Sequence, residues 1–187
     1  MSVIVIEFIT LDGIVYDPDG SAGSPRGGWM FRHGPETVAG DAFRLGSTLD
    51  DGVLLLGRAT WQLLSGLWPK RDDPFSTRMN AVPKLVASST LTAGDLAAWS
   101  NSRPLEGDPA DAVERERRDV VVAGSLSLVD QLTAADLVDE YRLLTFPTVL
   151  GTGRRLFPAE GPHAEFTCLT AEPSGAAVYT RYGRASA

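Results

Sequence analysis

The sequence predicts an α/β fold with a mostly parallel sheet and an antiparallel hairpin at the end of the chain. Three short, mostly apolar segments, 53–56, 84–87 and 120–123, each end in glycine or hydroxyl residues that lead into helical patterns. That repetition is typical of an open parallel sheet, whose buried strands read as continuous apolar runs. Later segments alternate apolar and polar residues, which predicts further strands at 140–149, 164–171 and 176–182.

The composition indicates one globular domain spanning residues 1–187. Apolar residues make up 43% of the chain, and the formal net charge is −7. This charge argues against a nucleic-acid partner, because binding to phosphate backbones needs clustered Lys and Arg. Cys168 is the single cysteine, and the two histidines are His33 and His163, so the sequence predicts no internal disulfide and no metal site.

The first residues, MSVIVIEF, predict a strand. They also predict a cytoplasmic protein, because they lack the features of a signal peptide or a membrane span. The segment has no basic region before its apolar residues and is too short for a signal peptide or a membrane span. Glu7 interrupts the predicted strand 3–9. Because a buried carboxylate needs a partner, we expect Glu7 to lie near an edge of the sheet or to face polar groups.

The stretch 120–132 reads as a buried strand, a tight turn at Gly124 and a helix that Ser125 can cap. A helix that starts at the end of a parallel strand directs free N–H groups and its positive dipole end at one spot, which suits a phosphate. The alternative is an ordinary turn between a strand and a helix, with a small residue for packing.

A second strand–glycine–helix segment follows residues 53–56. Gly57, Arg58, Ala59 and Thr60 stand at its turn, and Arg is the side chain best suited to bidentate phosphate binding. The alternative is a capped helix with a solvated arginine. After the run 84–87 come three hydroxyl residues, which either form a turn or bind a ribose or phosphate.

Asp12 lies where the first predicted strand ends, which is where α/β folds place ligand-facing groups. It is equally consistent with a simple turn formed with Gly13. Residues 17–28 predict a long loop. Large apolar residues beginning at Trp29 close this loop, and they either wall a pocket or pin the loop to the core.

Three further elements are predicted from local patterns. A helix is expected from Pro35 to about Leu49, with Glu36 in its first turn, where a carboxylate is stabilised by the helix dipole. A short edge strand is expected at 96–99. The charged stretch 107–118 predicts a surface helix with a solvated face.

The order of these segments resembles the dihydrofolate-reductase-like superfamily, in the bacterial branch related to the C-terminal reductase domain of the riboflavin-synthesis protein RibD. The matching segments occur in the family's order and span nearly the whole chain. They are TLDG (10–13), LLLGRATW (54–61), KLVASST (84–90), VVVAGSLSLVDQL (120–132) and DEYRLLTFPTVLGTGRRLF (139–157).

The resemblance implies a three-layer α/β/α domain with a roughly eight-stranded sheet that binds NADPH. Arg58 and Thr60 would meet cofactor phosphates, and Ser88 and Ser89 would lie by the adenosine ribose and its 2′-phosphate. The loop 14–29 would match the mobile loop that covers the nicotinamide. The full set of implied cofactor contacts is Ile14, Gly57, Arg58, Ala59, Thr60, Ser88, Ser89, Thr90, Ala123, Gly124, Ser125 and Leu126.

The leading hypothesis is an NADPH-dependent reductase that transfers hydride to a small heterocyclic or carbonyl-type substrate, pterin- or pyrimidine-like. Asp12 matches a first-strand Asp near the substrate in RibD relatives, and Asp12 or Glu36 would orient the substrate or relay a proton. Trp29, Trp61 and Phe146 are predicted to line an apolar pocket.

Two other functions are left open by the sequence. One is a non-catalytic nucleotide-binding or regulatory module on the same fold. The other, a hydrolase or phosphotransferase using Ser125 or Thr60, is weaker because the chain has no G-x-S-x-G elbow and no Walker loop. A homodimer is expected from the resemblance, since relatives often pair through the C-terminal region of the sheet.

Overall fold

The computed structural model describes residues 1–185. Eight strands form one sheet, and they are β1 (Val3–Thr10), β2 (Val53–Gly57), β3 (Lys84–Ala87), β4 (Ser102–Pro104), β5 (Val120–Val122), β6 (Glu140–Phe146), β7 (Phe166–Ser174) and β8 (Ala177–Arg184). Their order in the sheet is β4-β3-β2-β5-β1-β6-β8-β7. The strand pairs β1–β5, β2–β5, β2–β3 and β3–β4 are parallel, and β8 pairs antiparallel with β6 and β7. The predicted fold class is therefore confirmed.

The helices are short, and in the sequence they lie between the strands. They are α1 (Thr48–Asp51), α2 (Arg58–Ser65), α3 (Pro74–Ala81), α4 (Ala93–Leu96), α5 (Pro109–Arg115) and α6 (Leu126–Ala134). Three 3₁₀ helices occur at Trp29–His33, Pro35–Val38 and Trp68–Lys70. Within residues 1–185, no helix has the length and apolar character needed to cross a membrane.

By its internal contacts the chain divides into two compact units. The first unit contains Met1–Val5 and Leu45–Asp139, and the second contains Ile6–Arg44 and, of the described residues, 140–185. Each unit is described by itself below.

The first unit has the parallel strands as its core. The leucines of β2 and the valines of β5 are at most 1% exposed, as their apolar runs predict for strands covered on both faces. A buried cation completes this core. Lys84 is 0% exposed, and its Nζ donates hydrogen bonds to the carbonyl oxygens of Asn80, Val82 and Ser100 and lies 4.4 Å from the centre of the Trp99 ring. Lys84 therefore ties the turn before β3 to the turn before β4.

The second unit contains the antiparallel strands β6, β8 and β7. Glu140 and Arg142 on β6 are 8% and 6% exposed. The Glu140 carboxylate accepts hydrogen bonds from Arg142 at 2.6 Å and from both Nε and Nη2 of Arg181 at 2.8 Å. Arg142 also donates to the carbonyl oxygen of Arg44 at 2.6 Å. This charge network joins β6 to β8 and to the segment of the same unit that ends at Arg44.

Two predicted elements are wrong. The helix expected over 35–49 is replaced by the 3₁₀ helix Pro35–Val38 and a series of turns, because Gly40, Arg44 and Gly46 have φ values of 59°, 53° and 48°, whereas an α-helix needs about −63°. The segment 96–99, expected as an edge strand, instead holds the last residue of α4 and the turn that follows it, and Thr92 and Asp95 start this helix with a reciprocal capping box. The strand follows at Ser102–Pro104.

Of the two alternatives predicted for Glu7, a place near an edge of the sheet is wrong. Glu7 is only 9% exposed, and it lies in β1, which has neighbours on both sides in the sheet. The apolar residues on either side of Glu7 form a regular strand, and this strand carries the carboxyl group into the interior with it.

Candidate functional site

Three turns of the first unit meet at one edge of its parallel strands. β2 lies between β3 and β5, with Gly57 opposite Ala87 and Leu55 opposite Val122. The carboxyl ends of these parallel strands therefore lie side by side, which is where open α/β sheets bind ligands. Except for Ile14, all of the predicted cofactor contacts stand on these three turns.

Direct contacts join the turn after β2 to the turn after β5. The Gly57 amide donates a hydrogen bond of 3.0 Å to the carbonyl oxygen of Gly124. A β-carbon added to Gly57 would lie 2.8 Å from Ser125 Cβ and 3.0 Å from its nitrogen, so the close approach requires glycine. Gly124 has a φ of 90°, a conformation that also favours glycine, and the Gly124–Ser125 peptide bond is cis.

Two helices begin at these joined turns, and neither has a side-chain cap. Gly57 is the N-cap residue of the eight-residue α2, and Ser125 is that of the nine-residue α6. The Ser125 hydroxyl lies 2.9 Å from that of Ser127 and does not cap the helix backbone. Uncapped first-turn N–H groups and two positive dipole ends converge here, and the exposed Arg58 adds a full positive charge. This arrangement is suited to binding phosphate groups.

The hydroxyl turn after β3 has a partly structural role. The Ser88 hydroxyl accepts hydrogen bonds from the amides of Thr90 at 3.1 Å and Leu91 at 3.0 Å, so it closes its own turn. Ser89 and Thr90 are exposed at the same edge. A ribose or 2′-phosphate contact therefore stays a prediction for this turn, and Ser89 is the residue best placed for it.

Asp12 in the second unit is an anchored carboxylate. It accepts hydrogen bonds from the Thr10 hydroxyl at 2.6 Å, the Gly151 amide at 2.7 Å and the Leu150 amide at 3.2 Å. The Thr10 hydroxyl is the largest cause that lowers the Asp12 pKa, and with the two amides it brings the value to about 2 although partial burial opposes the change. At neutral pH Asp12 is therefore an anion that can orient a donor but holds no proton to give.

Ile14 and Glu36 stand in different surroundings. Ile14 is 1% exposed, its amide donates to the Thr10 hydroxyl at 2.9 Å, and its carbonyl oxygen accepts from the Thr10 amide at 3.0 Å. Both of its backbone groups are thus hydrogen-bonded to Thr10, the last residue of β1. Glu36 is exposed on the 3₁₀ helix Pro35–Val38, with its carboxylate folded back over Gly34. The roles predicted for both residues stay predictions.

The three aromatic residues predicted to line a pocket are buried. Trp29 and Phe146 are both 0% exposed, and their ring centres are 5.4 Å apart in an edge-to-face arrangement. The Trp29 indole donates to the carbonyl oxygen of Tyr16 at 3.1 Å, so it pins the long loop to the core of the second unit. Trp61 is 3% exposed in the first unit and donates to the Ser102 hydroxyl at 3.0 Å.

The long loop itself is held together by a buried carboxylate. Asp17 is 5% exposed and accepts hydrogen bonds from the amides of Ala22 at 2.9 Å and Ser24 at 2.8 Å. Arg26 reaches out of the loop and donates to the carbonyl oxygen of Leu150. The expected absence of strand and helix over 17–28 is confirmed.

Comparisons with known proteins agree with this architecture. The family model of the RibD C-terminal domain matches residues 109–180. An uncharacterised protein of Bacillus subtilis, YyaP, is 31% identical over 111 residues, which cover 56% of this chain and 58% of YyaP. The chain thus spans little more than half the length of this curated relative.

Solved structures match over nearly the whole chain. A Shewanella sp. PV-4 protein ascribed to riboflavin biosynthesis has a TM-score of 0.73 at 22% identity, with both chains fully covered. RibD of Acinetobacter baumannii has a TM-score of 0.66 at 16% identity, covering 98% of this chain and 58% of that one. The fold is dihydrofolate-reductase-like, in the form found in RibD.

A further structure extends the same likeness. A pyrimidine reductase-like protein of Corynebacterium diphtheriae has a TM-score of 0.55 at 10% identity, covering 100% of this chain and 92% of that chain. These identities are low, so the structural matches establish the RibD-like fold and not the reaction.

Within residues 1–185, no group of three or more His, Cys, Asp or Glu side chains is arranged to hold a metal ion.

One residue of chemical interest was not predicted as a site residue. Glu7 is buried, and its Oε1 atom has no hydrogen-bond partner. Its position in an apolar strand was visible in the sequence, and an acid in such a run is itself the signal. Its burial depends on the sheet order, which local patterns do not specify.

Proposed function

We propose that this protein is an NADPH-dependent reductase that transfers hydride to a small heterocyclic or carbonyl-type substrate, pterin- or pyrimidine-like. The observation that carries the proposal is the pair of uncapped helix starts joined through Gly57 and Gly124, with Arg58 beside them. Such a pair offers several N–H donors and a guanidinium to one diphosphate group.

The residues at this edge fit the cofactor. The missing β-carbon of Gly57 leaves room for the two turns to approach, and a side chain there would collide with Ser125. We assign the diphosphate to the amides that follow Gly57 and Gly124, a further phosphate contact to Arg58 and Thr60, and the ribose to the turn at Ser89. When bound, NADPH would supply the hydride.

In the second unit, Asp12 would act as a fixed anion. Its hydrogen bonds from Thr10 and the two amides hold the carboxylate in one orientation. A carboxylate held in this way can accept a hydrogen bond from an N–H or amino group of a heterocyclic substrate. We propose this orienting role for Asp12, and with it a substrate that carries such donors.

Titration with NADPH tests the cofactor. We expect NADPH to quench tryptophan fluorescence with saturation and to raise the thermal unfolding midpoint, because a ligand that binds only the folded state stabilises it. Unchanged fluorescence and unchanged stability at near-millimolar NADPH would contradict the proposal. NADH measured in parallel gives the preference for the 2′-phosphate.

A second candidate is a non-catalytic nucleotide-binding module on the same fold. The ionised state of Asp12 favours it, because the acid predicted from the first strand cannot donate a proton at neutral pH. Oxidation of NADPH with a panel of pterins, aminopyrimidines and quinones separates the two. Binding without turnover of any panel compound would support the module.

We further propose a cytoplasmic homodimer. β7 is the last strand of the sheet, and eight of its nine residues from 166 to 174 are exposed or partly exposed, among them Leu169, which is 51% exposed. An uncovered edge strand favours pairing with another chain. Light scattering after size exclusion measures the state, and Leu169→Lys is expected to shift it toward the monomer.

A further inference from the structure

A groove lies in the first unit between β4 and α5, outside the turns at Gly57 and Gly124. It encloses a cavity of about 230 Å³. Three apolar residues line it, namely Leu85 on β3, Leu105 after β4 and Ala112 on α5. Arg103 on β4 and Arg115 on α5 line it as well. An apolar lining with a few charged groups is typical of a site for a small organic ligand.

The groove adjoins the edge of the sheet to which the cofactor is assigned. β3 and β4 are parallel, and the Leu105 amide donates a hydrogen bond of 2.9 Å to the carbonyl oxygen of Val86. Residues 105 and 106 therefore leave β4 beside the hydroxyl turn that follows β3. The guanidinium group of Arg115 reaches the same loop, because a β-carbon added to Gly107 would lie 3.9 Å from its Nη2 atom.

The sheet order places the groove next in line for an extended cofactor. β5, β2, β3 and β4 are consecutive neighbours, so the edge presents the turns at Gly124 and Gly57, then the hydroxyl turn, then the groove. The proposed function assigns the diphosphate to the first two turns and the ribose to Ser89. The part of the dinucleotide beyond that ribose, which is adenine with or without a 2′-phosphate, would therefore reach the groove.

The groove has an excess of positive charge. Arg103 and Arg115 are exposed, and neither guanidinium group takes part in a hydrogen bond or an ion pair within residues 1–185. Two acids also line the groove. Glu116 accepts hydrogen bonds from Nε of Arg118 at 2.9 Å and from Nη2 at 2.8 Å, so its charge is already neutralised, and this leaves the exposed Glu106. Two unpaired guanidinium groups against one carboxylate favour a ligand with more than one negative charge.

The hydroxyl turn beside the groove cannot neutralise a phosphate by itself. The Ser88 hydroxyl is used within the turn, and Ser89 and Thr90 carry neutral side chains. A phosphate monoester carries about 1.5 to 2 negative charges at neutral pH, whereas the 2′-hydroxyl of NADH carries none. The cations that distinguish the two cofactors must therefore come from a neighbouring element, and the groove holds two.

We propose that Arg103 and Arg115 bind the 2′-phosphate of NADPH and thereby select it over NADH, an inference that rests on the reductase function proposed above. Each guanidinium group can donate two parallel hydrogen bonds to phosphate oxygens. Leu85, Leu105 and Ala112 give the adenine ring an apolar surface to pack against. The two arginines determine which cofactor binds, and they take no part in hydride transfer.

The test measures the Kd of NADPH and of NADH for the wild type, Arg103→Gln and Arg115→Gln. We expect each substitution to raise the NADPH Kd ~10-fold, as is typical of a lost hydrogen bond to a charged group, and to leave the NADH Kd within ~2-fold. Glu106→Gln should have the opposite effect and lower the NADPH Kd ~2-fold, because it removes a negative charge from the groove. Arg117→Gln removes an exposed arginine between α5 and β5, and as the matched control it should change neither Kd.

Cofactor fragments give a readout that needs neither nicotinamide nor turnover. Adenosine 2′,5′-bisphosphate should bind the wild type more tightly than 5′-AMP does, and a variant with both arginines replaced by glutamine should lose this difference. Equal wild-type Kd values for NADPH and NADH would overturn the proposal. So would single variants that keep the wild-type ratio of the two Kd values within ~2-fold. In both results NADPH still binds, so the reductase function survives. If the wild type binds neither dinucleotide, the cofactor assignment itself fails, and the selection by the two arginines fails with it.

Discussion

The amide nitrogen of Gly57 and the carbonyl oxygen of Gly124 are 3.0 Å apart and hydrogen-bonded, although 67 positions of sequence (124 − 57) separate the two residues. This bond fixes the start of α2 beside the start of α6. The dipoles of two helices therefore act on one place, and a phosphate bound there would interact with both. The predictions for the cofactor site follow from this relationship.

Gly57→Ala is expected to weaken NADPH binding at least ~10-fold, because the new β-carbon would collide with Ser125 and separate the two helix starts. The backbone of Gly57 is extended, with φ −76° and ψ 161°, so alanine itself causes no backbone strain there. Isothermal titration measures the affinity. Gly66→Ala, at the other end of the same helix, should leave the Kd unchanged, since its β-carbon would meet nothing closer than 3.4 Å.

Arg58→Gln is expected to raise the NADPH Kd ~10–100-fold, which corresponds to the ~1.5–3 kcal/mol of a hydrogen bond to a charged group. Arg58 is exposed, so the free energy of unfolding should change little. The salt dependence of binding should also become weaker in this variant. Arg117→Gln removes an exposed arginine between α5 and β5 of the same unit and is the control. Equal losses in both variants would contradict a specific contact.

Asp12→Asn is expected to destabilise the fold by ~1–3 kcal/mol at neutral pH, because an amide cannot accept all three hydrogen bonds that the carboxylate accepts. The folded pKa of Asp12 is about 2 against an ordinary value of 3.8. Its charged form therefore stabilises the protein above a pH of about 4, and this contribution disappears as the pH falls toward 2. Urea unfolding at neutral and acid pH measures the difference, which should shrink in acid.

Glu140→Gln is expected to cost ~3–5 kcal/mol, because it leaves the largely buried Arg142 guanidinium without its counter-ion. The exposed ion pair of Arg44 and Glu172 is the comparison, and Glu172→Gln should change stability by less than ~1 kcal/mol. The two arginines around Glu140 lower its pKa although burial opposes them. The network therefore stabilises above the ordinary carboxyl pKa and weakens in acid. Equal effects of the two variants in chemical denaturation would contradict this difference.

Glu7 is expected to give stability the opposite pH dependence. The folded protein binds the Glu7 proton up to a pH of about 8, whereas the unfolded chain releases it near 4.5. Between these values the folded state holds more protons, so the wild-type free energy of unfolding should fall as the pH rises. Glu7→Gln should lack this part of the slope. Identical slopes in chemical denaturation from acid to mildly alkaline pH would contradict the burial of a protonated Glu7.

The strands that lead into the turns at Gly57 and Gly124 could be predicted from the sequence, because the residues that specify them lie within one short segment. An apolar run followed by Gly57 or Gly124 and a helical pattern specifies strand, turn and helix within one segment. Because strands and helices alternate along the chain, the strands are parallel, and the turns that follow them lie at the same edge of the sheet. The hydrogen bond between the two glycines could not be predicted, since it depends on β2 and β5 being neighbours.

What could not be predicted from the sequence also has specific causes. The spacing of apolar residues up to Leu45 and Leu49 is typical of a helix. Gly40 and Gly46 have positive φ values, however, and a helix cannot continue through either residue. The state of Asp12 depends on the amides of Leu150 and Gly151, which lie more than a hundred residues away in sequence. Lys84 begins the predicted strand 84–87, but its burial could not be predicted, because it depends on three carbonyl groups in the turns before β3 and β4 that accept hydrogen bonds from its Nζ.

The two helix N-termini without side-chain caps have a practical consequence for binding experiments. Inorganic sulfate and phosphate have the same tetrahedral oxygens as the ends of a nucleotide, and positive helix ends attract them too. Buffers containing these ions will compete for the edge beside Arg58 and make a genuine cofactor look weak. Affinities are best measured in chloride with an organic buffer, and a crystal grown from ammonium sulfate should show density for the anion there before any nucleotide is added.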